Sequence, residues 1–137
     1  MTPGKPQDSI NDGKRAILVV DDAEDCIATL DMALQTLPGV VVQSASSAEA
    51  ALARLSDGSN FSAVITDVNL PEMTGLELVA RLRNEPRFRS LPILVMSADP
   101  DPSTPARALG LGANAYFAKP FSPSAMRKKL EELIHAT

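Results

Sequence analysis

Five residues carry groups that together could handle a charged phosphorus centre: the carboxylates Asp21, Asp22 and Asp67, the hydroxyl of Ser97 and the ammonium of Lys119. Each follows or ends a short apolar run. Val19-Val20 precede the acidic pair, Val64-Ile65-Thr66 precede Asp67, Ile93 to Met96 precede Ser97, and Tyr116-Phe117-Ala118 precede Lys119. Three carboxylates brought close together repel: two unit charges 4 Å apart interact by roughly 4 kcal/mol at an effective dielectric near 20. Without a cation, at least one of the three would have a raised pKa. Mg²⁺ removes that penalty, because it favours oxygen ligands and retains waters that a phosphoryl oxygen can replace.

These residues are far apart in the chain, so the fold must gather them. Ala16–Val20 is a continuous apolar run, the pattern of a strand buried on both faces. Ile27, Leu30, Leu34 and Leu37 recur at helical spacing, and Pro38-Gly39 stops that helix. Val40-Val41-Val42 starts a second strand. Ser46 with Glu49 reads as a capping box opening a helix through Leu55, and Asp57–Asn60 as a turn. Phe61–Thr66 is a third strand, followed by a helix marked by Leu76, Val79 and Leu82 that fades before Pro86. Ile93–Met96 and Ala115–Ala118 are the last two strands, and Ser122-Pro123 opens a final helix bearing Met126, Leu130, Leu133 and Ile134.

Between the last two strands stand Pro100, Pro102 and Pro105. Proline inside a helix costs about 3 kcal/mol. The fourth helix should therefore start late, with Pro105 in its first turn, and end near Leu111 between Gly110 and Gly112. The resulting order is (βα)₅, an α/β fold. Right-handed crossovers make it a three-layer sandwich with a five-stranded parallel sheet covered by helices on both sides. The carboxyl ends of parallel strands share one edge, where ligands bind. All five chemical residues stand at such ends.

The 137 residues suit one domain, with residues 1–14 a polar, Pro- and Gly-containing disordered tail and 15–137 the folded unit. A net charge of −4 without a basic run argues against direct nucleic-acid binding. The only notable basic cluster, Arg127-Lys128-Lys129, is followed by Glu131-Glu132 and reads as a solvated helix face. The lone Cys26 has no internal disulfide partner and reads as a small, partly buried apolar residue. With no long apolar stretch and no signal-peptide segment, the expected location is cytoplasmic, without a membrane span. His135, in the last turn, is expected to be solvated.

In order and spacing the chain resembles a response-regulator receiver domain from roughly Arg15 to Ile134. The resemblance is carried by the acidic pair, by the segment from Asp67 through Leu70-Pro71-Glu72-Met73-Thr74-Gly75, by Ser97-Ala98, and by the segment from Gly112 to Lys119-Pro120. It implies a flavodoxin-like strand order of 2-1-3-4-5 and a cis Lys119-Pro120 bond. Asp67 would be the phosphoacceptor. Asp22 would bind Mg²⁺ directly and Asp21 mostly through water, with Asp67 and the Asn69 backbone carbonyl completing the protein ligands. Ser97 and Lys119 would hold phosphoryl oxygens. Ser97 and Tyr116 would form the switch, and Asn69 and Asp99 would tune hydrolysis. The implied partners are a sensor histidine kinase or histidine phosphotransfer protein and a downstream protein target. The protein would be a stand-alone regulator, either a monomer or a phosphorylation-dependent dimer, with no enzymatic role beyond its own phosphorylation and autodephosphorylation.

Two other functions fit parts of the pattern. A Mg²⁺-dependent phosphohydrolase with an Asp nucleophile usually carries a second Asp two residues later, where this chain has Asn69. A degenerate receiver that binds partners without phosphate would not need all five site residues. The three-proline loop borders the expected output face and could specialise partner recognition.

Overall fold

The structure is a computed structural model that describes residues 15–135. The tail expected at 1–14 lies outside the described residues. Five strands form one parallel sheet: β1 (Arg15–Val20), β2 (Val40–Ala45), β3 (Ala63–Asp67), β4 (Ile93–Ser97) and β5 (Ala115–Ala118). Their order is β2-β1-β3-β4-β5, as expected. Five helices connect and follow them: α1 (Glu24–Leu34), α2 (Ala48–Ser56), α3 (Gly75–Arg83), α4 (Thr104–Gly110) and α5 (Pro123–His135). A short 3₁₀ turn, Pro86–Phe88, lies between α3 and β4.

The alternation of side chains along each strand splits the core into two layers. Leu18, Val20, Val64, Ile93 and Val95 face one side and pack against α2, α3 and Ala108 of α4. Ile17, Val19, Ala63, Ile65, Leu94 and Met96 face the other side, against α1 and α5. Strands β3 and β4 are buried along their whole length, which is why they read as unbroken apolar runs.

Several local expectations shift. The α2 cap is Ser47, whose hydroxyl accepts from the Ala50 amide, and not Ser46. The reciprocal capping box instead opens α3, where Thr74 and Glu77 exchange side-chain-to-backbone bonds of 3.1 and 2.8 Å. Helix α1 ends at Leu34, and Leu37 is buried from the turn beyond it. Strand β2 runs on to Ala45, past its apolar half, because it pairs in register with all six residues of β1. Pro105 sits in the first turn of α4, and Lys119-Pro120 is cis.

Candidate functional site

The sheet brings all five residues to one edge. Asp21 lies just beyond β1, Asp67 and Ser97 end β3 and β4, and Lys119 follows β5. Backbone bonds lock these ends together: the Lys119 amide donates to the Ser97 carbonyl at 2.8 Å, Asp21 to Ala45 at 3.0 Å, and Val68 to Met96 at 3.0 Å. The segment after β3 folds back on itself, with the Leu70 and Gly75 amides both donating to the Val68 carbonyl. Gly75 packs directly under the Asp67 carbonyl, and any Cβ there would overlap it. Glu72, at φ 67°, makes the turn that allows this return.

Asp21, Asp22 and Asp67 each present a carboxylate oxygen within 4.8 Å of the others. Asp21 is fully buried and Asp22 exposed. The Ala23 amide donates to Asp21 Oδ1 at 2.9 Å, which braces the carboxylate at the entry to α1. Lys119 Nζ donates to Asp21 Oδ2 at 2.9 Å and stands 3.6 Å from Asp67 Oδ1. The longer distance is an ion pair without a hydrogen bond, so the buried Asp67 Oδ1 has no hydrogen-bond partner.

Burial is the main cause of a raised Asp67 pKa; the Asp21 charge adds to it, and Lys119 and the Asn69 amide oppose it. Partial burial works to lower the Lys119 pKa, but the bond to Asp21 and the charges of Asp67 and Asp21 outweigh it, so the ammonium is held above its usual value. The ammonium therefore stays charged at neutral pH and offsets only part of the negative charge. Three carboxylates, one with an orphaned buried oxygen, make an all-oxygen donor set that fits a hard divalent cation such as Mg²⁺.

The sequence model of the response regulator receiver domain family matches residues 17–131. The chain is a receiver domain. It is 33% identical over 118 residues to the chemotaxis protein CheY1 of Helicobacter pylori, covering 86% of this chain and 95% of that protein. It is 32% identical to the chemotaxis protein CheY of Pseudomonas aeruginosa, covering 86% and 94%. Among solved structures, chemotaxis response regulator CheY4 of Vibrio cholerae superposes with a TM-score of 0.77 at 30% identity, covering 88% of this chain and 98% of that one. The receiver domain of a signal transduction histidine kinase from Syntrophus aciditrophicus superposes with a TM-score of 0.82 at 25% identity, covering 90% and 92%.

Around the receiver site, Ser97 is buried and its hydroxyl accepts from the Asp99 amide at 2.9 Å, so it is held toward the β4–α4 loop. Asn69 is exposed, and Asp99 half-buried. Tyr116 is half-buried and packs with the α2–α3–α4 layer. Burial and the Asp21 carboxylate push the Cys26 thiol up to about 11, leaving it protonated and unreactive at neutral pH. His135 is exposed, and no described helix is long and apolar enough to cross a membrane.

Two residues outside the charged cluster are structurally committed. Arg83 donates to the carbonyls of Gly112 and Phe88 and to Asn114 Oδ1, tying the end of α3 to the loop that leads into β5. Nothing in its sequence context marks it out. Gly75 stands within the quoted receiver segment, but its reason, the Asp67 carbonyl overhead, is visible only in three dimensions.

Proposed function

We propose that this receiver domain takes a phosphoryl group onto Asp67 from a phosphohistidine donor and converts that event into a changed protein-binding face. The observation that carries this reading is the state of Asp67. It is buried at a strand end, with one oxygen free of hydrogen bonds and an ammonium 3.6 Å away.

Asp21, Asp22, Asp67 and the Asn69 backbone carbonyl would hold Mg²⁺. When bound, Mg²⁺ supplies positive charge to the phosphoryl oxygens and relieves the carboxylate repulsion. An Asp67 carboxylate oxygen attacks phosphorus in line. The P–N bond of the donor breaks, its electron pair stays on the imidazole nitrogen, and an acyl phosphate remains on Asp67. Phosphoryl transfer needs chiefly positioning and charge stabilisation, and Lys119 provides both by pairing with an incoming oxygen. Water attack at phosphorus releases inorganic phosphate and restores the carboxylate, with Asn69 and Asp99 flanking its path.

The Ser97 hydroxyl then turns from the Asp99 amide to a phosphoryl oxygen, and Tyr116 moves into the space released under the β4–α4 loop. This shifts the balance between pre-existing states. The partners are a histidine kinase or histidine phosphotransfer protein upstream and a protein target downstream, in the cytoplasm, and the domain acts as a monomer or as a dimer on phosphorylation.

Incubation with Mg²⁺ and acetyl phosphate, followed by intact mass, tests the reading. One labile phosphoryl group is expected, absent in Asp67→Asn and when metal is omitted. An adduct that persists in Asp67→Asn would refute the assignment.

A further inference from the structure

Thr104 is fully buried in the first turn of α4, and its hydroxyl has no hydrogen-bond partner. A buried polar group left unpaired is uncommon and asks for a reason. Its place in the fold supplies one. Helix α4 runs back from the carboxyl edge of the sheet, so Thr104 lies at the Ser97 end. It shares the inward face of α4 with Ala108, one turn (about 5.4 Å) further along. Ala108 and Tyr116 belong to the same packed layer. Tyr116 stands opposite Val95 in the β4–β5 pair, two residues before the Ser97–Ala118 pair at the sheet's edge. Its phenol carries no hydrogen bond to a described residue, and its half-buried ring packs against the layer that holds Ala108.

We propose that Thr104 is the positioning residue that holds Tyr116 in its inward orientation: the two hydroxyls pair when Asp67 is phosphorylated and Tyr116 turns in. The orphaned hydroxyl destabilises the resting state and gains its partner in the activated one. Thr104 therefore biases the switch in both states without touching the phosphoryl group. The inference rests on the phosphoacceptor reading of Asp67.

Tyr116 is the only tyrosine and the chain has no tryptophan, so its fluorescence reports this side chain alone. The emission of wild type, Thr104→Val and Thr104→Ser is followed with Mg²⁺ while acetyl phosphate is added, and intact mass is taken on the same samples. Thr104→Val should form the Asp67 adduct as wild type does but lose at least half of the emission change. Thr104→Ser, which keeps the hydroxyl, should retain it. Without phosphodonor, the melting temperature of Thr104→Val should equal or exceed that of wild type, the reverse of what a purely structural threonine would show. A full emission change in Thr104→Val overturns the latch, as does equal loss in Thr104→Ser or a phosphorylated wild type whose emission does not move. Absence of any adduct on wild type refutes the phosphoacceptor reading itself, and the latch falls with it.

Discussion

Asp67 sits between opposing demands. To act as the proposed phosphoacceptor it must be ionised, yet burial and the neighbouring Asp21 charge raise its pKa above the usual 3.8. Linkage sets the sign of the consequence. The metal-free fold binds the Asp67 proton more tightly than the unfolded chain does. Its stabilising contribution is therefore present below pH about 3.8 and is lost as pH rises through the higher folded pKa. Asp67→Asn removes that loss while Lys119 keeps Asp21 as its partner. The metal-free variant should be more stable than wild type at pH 7, by about 1–2 kcal/mol on the scale of a relieved charge contact, and the gap should narrow as pH falls toward 3.8. Urea unfolding in the presence of a chelator, repeated across pH, measures it. A variant less stable than wild type at pH 7 would show that Lys119 outweighs the repulsion.

Among the elements, the turn from β3 into α3 does the most for the site. It is braced from below by Gly75 against the Asp67 carbonyl and capped by Thr74 and Glu77. The two devices separate experimentally. Thr74→Ala removes a cap worth about 1 kcal/mol and should leave acetyl phosphate labelling of Asp67 unchanged. Gly75→Ala forces the overhead carbonyl aside. It should cost about 1–3 kcal/mol, as other overpacked sites do, and slow labelling at least tenfold because the carboxylate moves with its backbone. Urea unfolding and timed intact mass on both variants would reveal a failure, namely equal labelling rates. This turn also marks where sequence reading stops. Strands buried on both faces announce themselves as apolar runs, and the chemical residues at their ends follow from the topology of a parallel sheet. The misplaced cap at Ser46, the reach of Arg83 to Gly112 and Asn114, and the orphaned hydroxyl of Thr104 depend on which backbone atom comes within 3 Å of which side chain. Residue type and spacing do not contain that information.

In the molecule as a whole, the two core layers lie on opposite faces of the sheet, and the sheet's carboxyl edge concentrates charge. The apolar interior holds the sheet rigid, and the sheet holds three carboxylates within 4.8 Å with a single ammonium between two of them. Folding therefore works against the site, and a divalent cation should return that cost as stability of the whole domain. Any ligand that binds only the folded state stabilises it by RT ln(1 + [L]/Kd), about 2.7 kcal/mol at a hundredfold excess over Kd. For a domain of this size each kcal/mol corresponds to roughly 2–5 °C in Tm. Melting curves over a Mg²⁺ titration should thus rise steadily, by about 5–13 °C at a hundred times Kd. In Asp67→Asn, which keeps only two of the three carboxylates, the curve should start higher and rise less, so the two titrations converge. A metal held there would act through charge at one edge, so raising NaCl at constant Mg²⁺ should shrink the shift in wild type. A Mg²⁺ response of equal size in both proteins would place the ion elsewhere than among Asp21, Asp22 and Asp67.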